Sequence, residues 1–189
     1  MKLEPLILAS SSPRRSEILQ TVGWSFEKMV VEIDESRKEN ETPEQYVERL
    51  ANEKVSAVAS KIDSGLVLGA DTTVVIDSQV LGKPCDENDA FEMLKTLSGC
   101  WHEVLTGVAL VRAGMKTKSI SAIERTRVKF ATMTNDEIAY YVASKEPMDK
   151  AGAYAIQGRG AIFIEEIQGD YWNIVGLPIR LVYELAKKV

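Results

Sequence analysis

Apolar and polar positions along this chain change period in a regular way. Leu6-Ile7-Leu8-Ala9 is a short continuous apolar run, as in a buried strand, and it stops at three hydroxyls, Ser10-Ser11-Ser12. Pro13 suits a first helical turn, where its missing N–H would be unpaired anyway, and Ser11 or Ser12 is the natural N-cap. A first helix is predicted from about Pro13 to Val22, with Ile18, Leu19 and Val22 on one face and Gly23 placed to end it. Phe26 to Val31 reads as a short strand, followed by an acidic polar loop, Glu32 to Glu41, that contains Asp34 and Glu35. Thr42-Pro43-Glu44-Gln45 supplies an N-cap, a proline at the first helical position and a capping-box glutamine. The stripe Tyr46, Val47, Leu50, Ala51, Val55 and Val58 then marks a second helix, with Lys54 beside the stripe.

Leu66 to Asp71 reads as a second buried strand ending in an acid, with strand character continuing from Thr72 to Ile76. Asp77-Ser78 makes a turn into a hairpin arm, Gln79 to Leu81, which Gly82-Lys83-Pro84 breaks. A third helix is expected at about Asp86 to Leu97. His102 to Arg112 and Lys116 to Phe130 are expected as long strands, the second with one wet face. Thr134 to Glu137 opens a fourth helix with another capping box, and Ile138, Tyr141 and Val142 face the core. Lys145 to Gly160 lacks any period, Ala161 to Ile167 reads as a strand, Gly169 to Pro178 as irregular, and Ile179 to Val189 as a closing helix. Strands alternating with helices, plus a long hairpin, predict an α/β domain with a mixed sheet. At 189 residues, with no repeat or linker, the chain is expected to form one domain, which could be split into two lobes around a cleft.

Charge narrows the function classes. With 28 acidic and 23 basic residues the formal charge is −5, which argues against a general nucleic-acid binder. A local basic pocket for a small polyanion stays compatible with it. No apolar run approaches the ~20 residues that span a bilayer, and Leu6 to Ala9 is too short for a secretory signal, so a cytoplasmic protein with reduced Cys85 and Cys100 is expected. The single histidine, His102, leaves little room for a zinc site or a Ser-His-Asp arrangement and reads as structural. Chemistry must then rest on carboxylates, lysines, arginines and a hard divalent cation.

Ligands in α/β sheets gather at strand ends, which singles out Ser10 to Arg15 and Gly69 to Thr72. The first places hydroxyls, helix N–H groups and two guanidinium groups together, a combination suited to phosphate. Arg14, Arg15, Lys54, Lys83 and Lys150 are candidate phosphate contacts, and Asp71, Glu35 and Asp149 are candidate carboxylates for a metal or for proton abstraction. Asp71 ranks highest, because an acid that ends a hydrophobic strand is costly unless paired, solvated or holding a metal. The plainer readings are a turn carboxylate for Asp71, a solvated loop lysine for Lys83 and a charged surface loop for Lys145 to Lys150.

Taken in order, Ser10-Ser11-Ser12-Pro13-Arg14-Arg15, Gly69-Ala70-Asp71-Thr72, Gly82-Lys83-Pro84, Glu146-Pro147-Met148-Asp149-Lys150-Ala151-Gly152-Ala153-Tyr154, Ile156-Gln157-Gly158 and Val175-Gly176-Leu177-Pro178 form a specific set. The chain resembles, along nearly its full length, the Maf family of nucleoside triphosphate pyrophosphatases. The resemblance implies a two-lobed α/β fold similar to inosine triphosphatases, with a nucleotide in the central cleft and hydrolysis to the monophosphate and pyrophosphate. It implies that Asp71 accepts the proton of the attacking water. It assigns Ser10, Arg14, Glu35, Lys54, Lys83, Asp149 and Lys150 to the triphosphate and metal site, with Glu35 and Asp71 toward Mg²⁺, Mn²⁺ or Co²⁺. A homodimer fits the family. Arg15, Thr72 and Gln157 match the subgroup acting on dTTP and UTP and depart from the subgroup acting on 7-methyl-GTP.

The chemistry of Gln157 agrees with that assignment. Its amide offers one donor and one acceptor, which matches the N3–H and O4 edge of uracil or thymine, whereas cytosine reverses the pattern. The competing expectation from another class is a non-catalytic nucleotide-binding regulator of cell division, which would keep the basic residues but have no use for Asp71 and Glu35.

Overall fold

The computed structural model describes residues 3, 5–114 and 118–189. In chain order its elements are β1 (Leu6–Leu8), α1 (Pro13–Thr21), β2 (Glu27–Lys28), α2 (Pro43–Ala59), β3 (Gly65–Ile76), β4 (Gln79–Leu81), α3 (Glu87–Leu97), β5 (Trp101–Ala113), β6 (Lys118–Phe130), α4 (Asn135–Ala143), β7 (Ile164–Gln168), α5 (Tyr171–Val175) and α6 (Ile179–Ala186). The expected α/β mixed sheet forms. Its strands hydrogen-bond in the order β2-β1-β3-β5-β6-β7, with β4 joined to β3 beside that path. No helix among the described residues is long and apolar enough to cross a membrane.

Residue contacts divide the chain into two compact units. The first is Met1–Asp71, Thr106–Glu124 and Gly176–Val189; the second is Thr72–Leu105 and Arg125–Val175. In the first unit β1 lies parallel to β3, pairing Leu6 with Leu66 and Leu8 with Leu68, and parallel to the short β2. The residues Ile7, Ala9, Val67, Ala109 and Val111 from the strands meet Ala51, Val55 and Val58 of α2 in one apolar cluster. α2 starts where the sequence predicts, because Thr42 Oγ1 accepts from the Gln45 amide at 3.2 Å and the Gln45 side chain returns to the Thr42 amide at 3.0 Å. Two strand glycines let this helix approach closely. A Cβ at Gly69 would fall 2.7 Å from Val55 Cγ1 and 2.9 Å from the Ala51 carbonyl, and one at Gly107 would fall 2.3 Å from the Val47 carbonyl oxygen.

In the second unit β3 turns into β4 through Asp77 and Ser78, whose φ values of 47° and 66° give the turn that matches strand twist. Val74 and Ile76 join Ala90, Leu94 and Leu97 of α3, Val128 and Phe130 of β6, and Ile138 and Tyr141 of α4 in the second core. The lone histidine belongs to this core. His102 Nε2 lies 2.8 Å from the Tyr154 hydroxyl, and Phe130 and Tyr154 pack on its ring edge-on. Burial pulls its pKa down to about 4, so it is neutral and structural, as its isolation in the sequence suggests.

Several elements differ from expectation. β3 is continuous over Gly65–Ile76, so Asp71 lies within the strand and does not end it. The cause is that strand pairing continues on β4 beyond the acid, and a half-buried carboxylate with a cationic partner does not interrupt a ladder. The strand expected over Phe26 to Val31 pairs only at Glu27 and Lys28. Ser12 occupies the N-cap of α1 without a side-chain capping bond. The aperiodic stretch from Lys145 is wound into 3₁₀ turns at Glu146–Asp149, Ala151–Ala153 and Arg159–Phe163, which delays β7 to Ile164. Part of the irregular stretch after Gly169 is the short helix α5, where the Asp170 carboxylate accepts from the Trp172 amide at 2.8 Å. The expected strand start at Lys116 lies outside the described residues. Cys85 and Cys100 are exposed free thiols.

Candidate active site

In the first unit, the close seat of α2 on Gly69 decides where Lys54 goes. Asp71 is two residues beyond Gly69 and therefore on the same strand face, and Lys54 Cβ already lies 3.4 Å from the Gly69 Cβ position. The ammonium then reaches Asp71 Oδ1 at 2.6 Å and Glu35 Oε1 at 2.7 Å. One half-buried lysine thus sits between two candidate carboxylates. Asp71 is well enclosed, at 13 % side-chain exposure, while Glu35 is open to solvent at 55 %. An ion pair of this kind stabilises little where it is exposed. Its consequence here is geometric, because it points both carboxylates at one place.

Glu35 is carried on the loop Glu32 to Glu41, which α2 clamps. Arg49 Nε donates to Glu41 Oε1 at 2.6 Å and Arg49 Nη2 to Glu41 Oε2 at 2.9 Å, a bidentate pair. The same guanidinium donates to the Ser36 carbonyl at 3.0 Å, and the Tyr46 hydroxyl donates to the Glu35 carbonyl at 3.0 Å. The hydrogen bonds from Arg49, above all, hold the Glu41 carboxyl at about 2, well below its ordinary range. Sequence reasoning missed Glu41 and Arg49 and placed Tyr46 only in the core stripe. The charged pair eight residues apart gave no signal of its own, because the loop between them sets the geometry.

The serine and arginine motif is more internal than expected. Arg15 is buried; its Nη1 donates to Ser10 Oγ at 3.0 Å and its Nε to the Gly176 carbonyl at 2.8 Å. Ser10 Oγ also accepts from the Ser12 amide at 3.2 Å. Burial lowers the Arg15 pKa; Asp71 opposes that fall, the like charge of Arg14 adds to it, and Glu35 opposes it more weakly. Arg15 therefore holds the turn together through side-chain and backbone oxygens, while Arg14 is only half-buried. Ser10, Arg14, Arg15, Glu35, Lys54 and Asp71 all belong to this unit.

Thr72, Lys83, Asp149, Lys150 and Gln157 belong to the second unit. The Gly152 amide donates to the Gly82 carbonyl at 3.0 Å, which sets the exposed Lys83 turn beside the turn carrying Asp149 and Lys150. Lys150 pairs with the exposed Asp149, and its Nζ lies 3.4 Å from the Glu146 carbonyl. Thr72 is half-buried, and Gln157 is exposed on a bend. In the sequence Glu146 opens one of the runs that carry the Maf resemblance, without a role of its own, and Tyr141 reads as core, yet they meet: the Tyr141 hydroxyl donates to Glu146 Oε1 at 2.9 Å.

Among the described residues no group of three or more His, Cys, Asp or Glu side chains gathers to hold a metal. The pair Asp71 and Glu35 still suits a hard cation that keeps most of its ligands from water and phosphate. Mg²⁺ is typically held by one or two carboxylates plus substrate oxygens, and both carboxylates here converge on the Lys54 ammonium, which shows that the position favours positive charge.

The family described as Maf-like protein matches residues 5–189. The chain belongs to the Maf-like protein family. It is 52% identical over 186 residues to a dTTP/UTP pyrophosphatase of Bacillus cereus (strain AH820), covering 98% of this chain and 96% of that protein. The dTTP/UTP pyrophosphatase of Bacillus mycoides (strain KBAB4) is likewise 52% identical over 186 residues, with the same coverage. Among solved structures, a HAM1 protein from Coxiella burnetii shares the fold with a TM-score of 0.54 at 14% identity, covering 98% of this chain and 99% of that one. The Maf resemblance seen in the sequence therefore holds.

Proposed function

We propose that this Maf-family chain is a nucleoside triphosphate pyrophosphatase that converts dTTP and UTP to the monophosphate and pyrophosphate. The observation that carries the reading is the convergence of Asp71 and Glu35 on Lys54, in a chain about half identical to relatives named dTTP/UTP pyrophosphatases. Asp71 is the proposed proton acceptor. A water oxygen bonds to the α-phosphorus, the bridge to the β-phosphate breaks, the water proton passes to an Asp71 carboxylate oxygen, and pyrophosphate leaves. Lys54 orients Asp71 for that transfer through their hydrogen bond.

Glu35 and Asp71 would hold the divalent cation, which when bound neutralises phosphate charge as a Lewis acid. Arg14, Lys83 and Lys150 offset the charge that grows on the leaving group, and Ser10 and Arg15 keep the turn bearing Arg14 in place. Asp149 keeps Lys150 in position by pairing with it, Thr72 lines the strand next to the acid, and Gln157 pairs with the O4 and N3–H edge of the pyrimidine. The amide pattern supports uracil and thymine over cytosine, since a mispaired polar edge can be rejected by roughly 10⁴-fold.

The test is pyrophosphate release from dTTP, UTP, CTP, dCTP, GTP, 7-methyl-GTP and ITP with Mg²⁺ or Mn²⁺. Release from dTTP and UTP, with kcat reduced at least ~10²-fold in Asp71→Asn under saturating metal, is the expected outcome. Turnover near wild type in that variant would remove Asp71 as the base. Binding without release from any nucleotide would replace the enzyme by a nucleotide-binding regulator.

A further inference from the structure

Between Ala155 and Gly160 the chain folds back on itself, and one tyrosine–glutamate pair ties both arms of the bend. On the incoming arm, the Ala155 amide donates to the Tyr141 hydroxyl oxygen at 3.1 Å. That hydroxyl donates its own proton to Glu146 Oε1 at 2.9 Å. On the outgoing arm, the Arg159 amide donates to Glu146 Oε2 at 3.0 Å and the Gly160 amide to Glu146 Oε1 at 3.1 Å. The neck is tight. A Cβ at Gly160 would lie 2.4 Å from the Ala155 carbonyl and 2.6 Å from the Tyr141 hydroxyl, and one at Gly158 would lie 2.7 Å from Glu146 Oε2. Gly158 has φ of 93°, a conformation that side chains rarely adopt. Ile156 is buried at the neck, and Gln157 is the exposed residue that follows it.

The Glu146 carboxylate is consumed by these contacts. It accepts one hydroxyl and two backbone amides, which leaves it poorly placed to act on a substrate and well placed to fix backbone. Three donors to one carboxylate, in a partly desolvated setting, make a stiff anchor. A glutamine can read a base edge only if its amide plane is held in position before the base arrives, since an adaptable side chain pairs with either pattern by flipping.

We propose that Tyr141 and Glu146 are positioning residues for Gln157 and thereby set the discrimination between uracil or thymine and cytosine. This rests on the reading that Gln157 contacts the base. Neither residue touches the nucleotide; both act through the backbone of the bend that carries Gln157.

The experiment measures kcat and KM for UTP, dTTP and CTP, together with thermal unfolding, in Tyr141→Phe, Glu146→Gln, Gln157→Ala and the double variant Tyr141→Phe/Gln157→Ala. Tyr141→Phe conserves volume and removes the link between the two arms. It is expected to narrow the UTP-over-CTP preference in kcat/KM about ten-fold, the effect of about one hydrogen bond, and to do so through KM. Gln157→Ala is expected to abolish the preference, and the double variant to lose none further, since both changes act on one contact. A Tyr141→Phe protein that unfolds earlier but keeps the full UTP-over-CTP ratio, while Gln157→Ala loses it, would overturn the positioning role and leave the base contact standing. A Gln157→Ala protein with unchanged preference would overturn the base contact and the positioning role with it. Should Glu146→Gln not fold, Tyr141→Phe decides the matter.

Discussion

Replacing Glu41 by glutamine tests whether the loop that carries Glu35 is held by charge. The wild-type carboxylate takes two hydrogen bonds from Arg49, at 2.6 and 2.9 Å, and one from the Lys38 amide at 3.0 Å. In Glu41→Gln the amide nitrogen faces a guanidinium donor, so one of the Arg49 bonds is lost and the attraction with it. Lowering the carboxyl from 4.5 to about 2 sets an upper limit of ~3 kcal/mol at ~1.4 kcal/mol per tenfold. Solvent reaches the outer side of this network through Glu53, which is 37 % exposed, and screening brings the expectation to ~1–2 kcal/mol. For a chain of this size that is a fall in Tm of ~2–8 °C at pH 7.

The pH dependence has a definite sign. The unfolded carboxyl binds its proton near 4.5 and the folded one only near 2, so the stabilisation is complete above about pH 5 and is lost as pH falls toward 2. Urea unfolding of both proteins at pH 7, 5, 4 and 3.5 would show wild type more stable at the first two and the gap closing at the last two. Equal stability at pH 7, or a gap that stays constant to pH 3.5, would refute the reasoning. Because the loop presents Glu35, the Mn²⁺ concentration for half-maximal pyrophosphate release should rise in the variant.

His102 should make stability fall as pH drops from 6.5 to 4, because the unfolded imidazole takes a proton that the buried one refuses. The total is ~2–3 kcal/mol, and His102→Gln should flatten that part of the urea-midpoint profile while leaving the pH 7 to 8 part unchanged. Gly107→Ala should destabilise by ~3 kcal/mol, or ~6–12 °C in Tm, because the new methyl meets α2 backbone and no flexible side chain can yield. A calorimetric shift under 2 °C would contradict that contact. Its effect on kcat should follow from displacement of α2 and Lys54, and would be visible at temperatures where the variant is fully folded.

Much of the chain's local order is set by neighbouring residues and is legible without a structure. Thr42 with Gln45, and Thr134 with Glu137, start their helices by bonds that span three residues. The turn at Asp77 and Ser78 is equally local. The acids, lysines and arginines of the candidate site can also be named in advance, because their residue types and order carry the chemistry and the Maf resemblance. What the sequence could not decide is which of them meet. Arg15 looks like a surface phosphate contact until folding buries it against Gly176, and Asp71 looks like the end of a strand until β4 continues the ladder past it. Lys54 reaches both Asp71 and Glu35 only because α2 rests on Gly69 and Gly107, whose missing side chains admit its backbone. Glu146, Glu41 and Arg49 carry no periodic signal and the period of Tyr141 marks only its buried face, since their role lies in hydrogen bonds to backbone that is distant in sequence or irregular in conformation. Periodicity and capping are properties of a short segment, whereas these contacts exist only after two backbones have packed to within van der Waals distance, and that is why tertiary structure alone decided them.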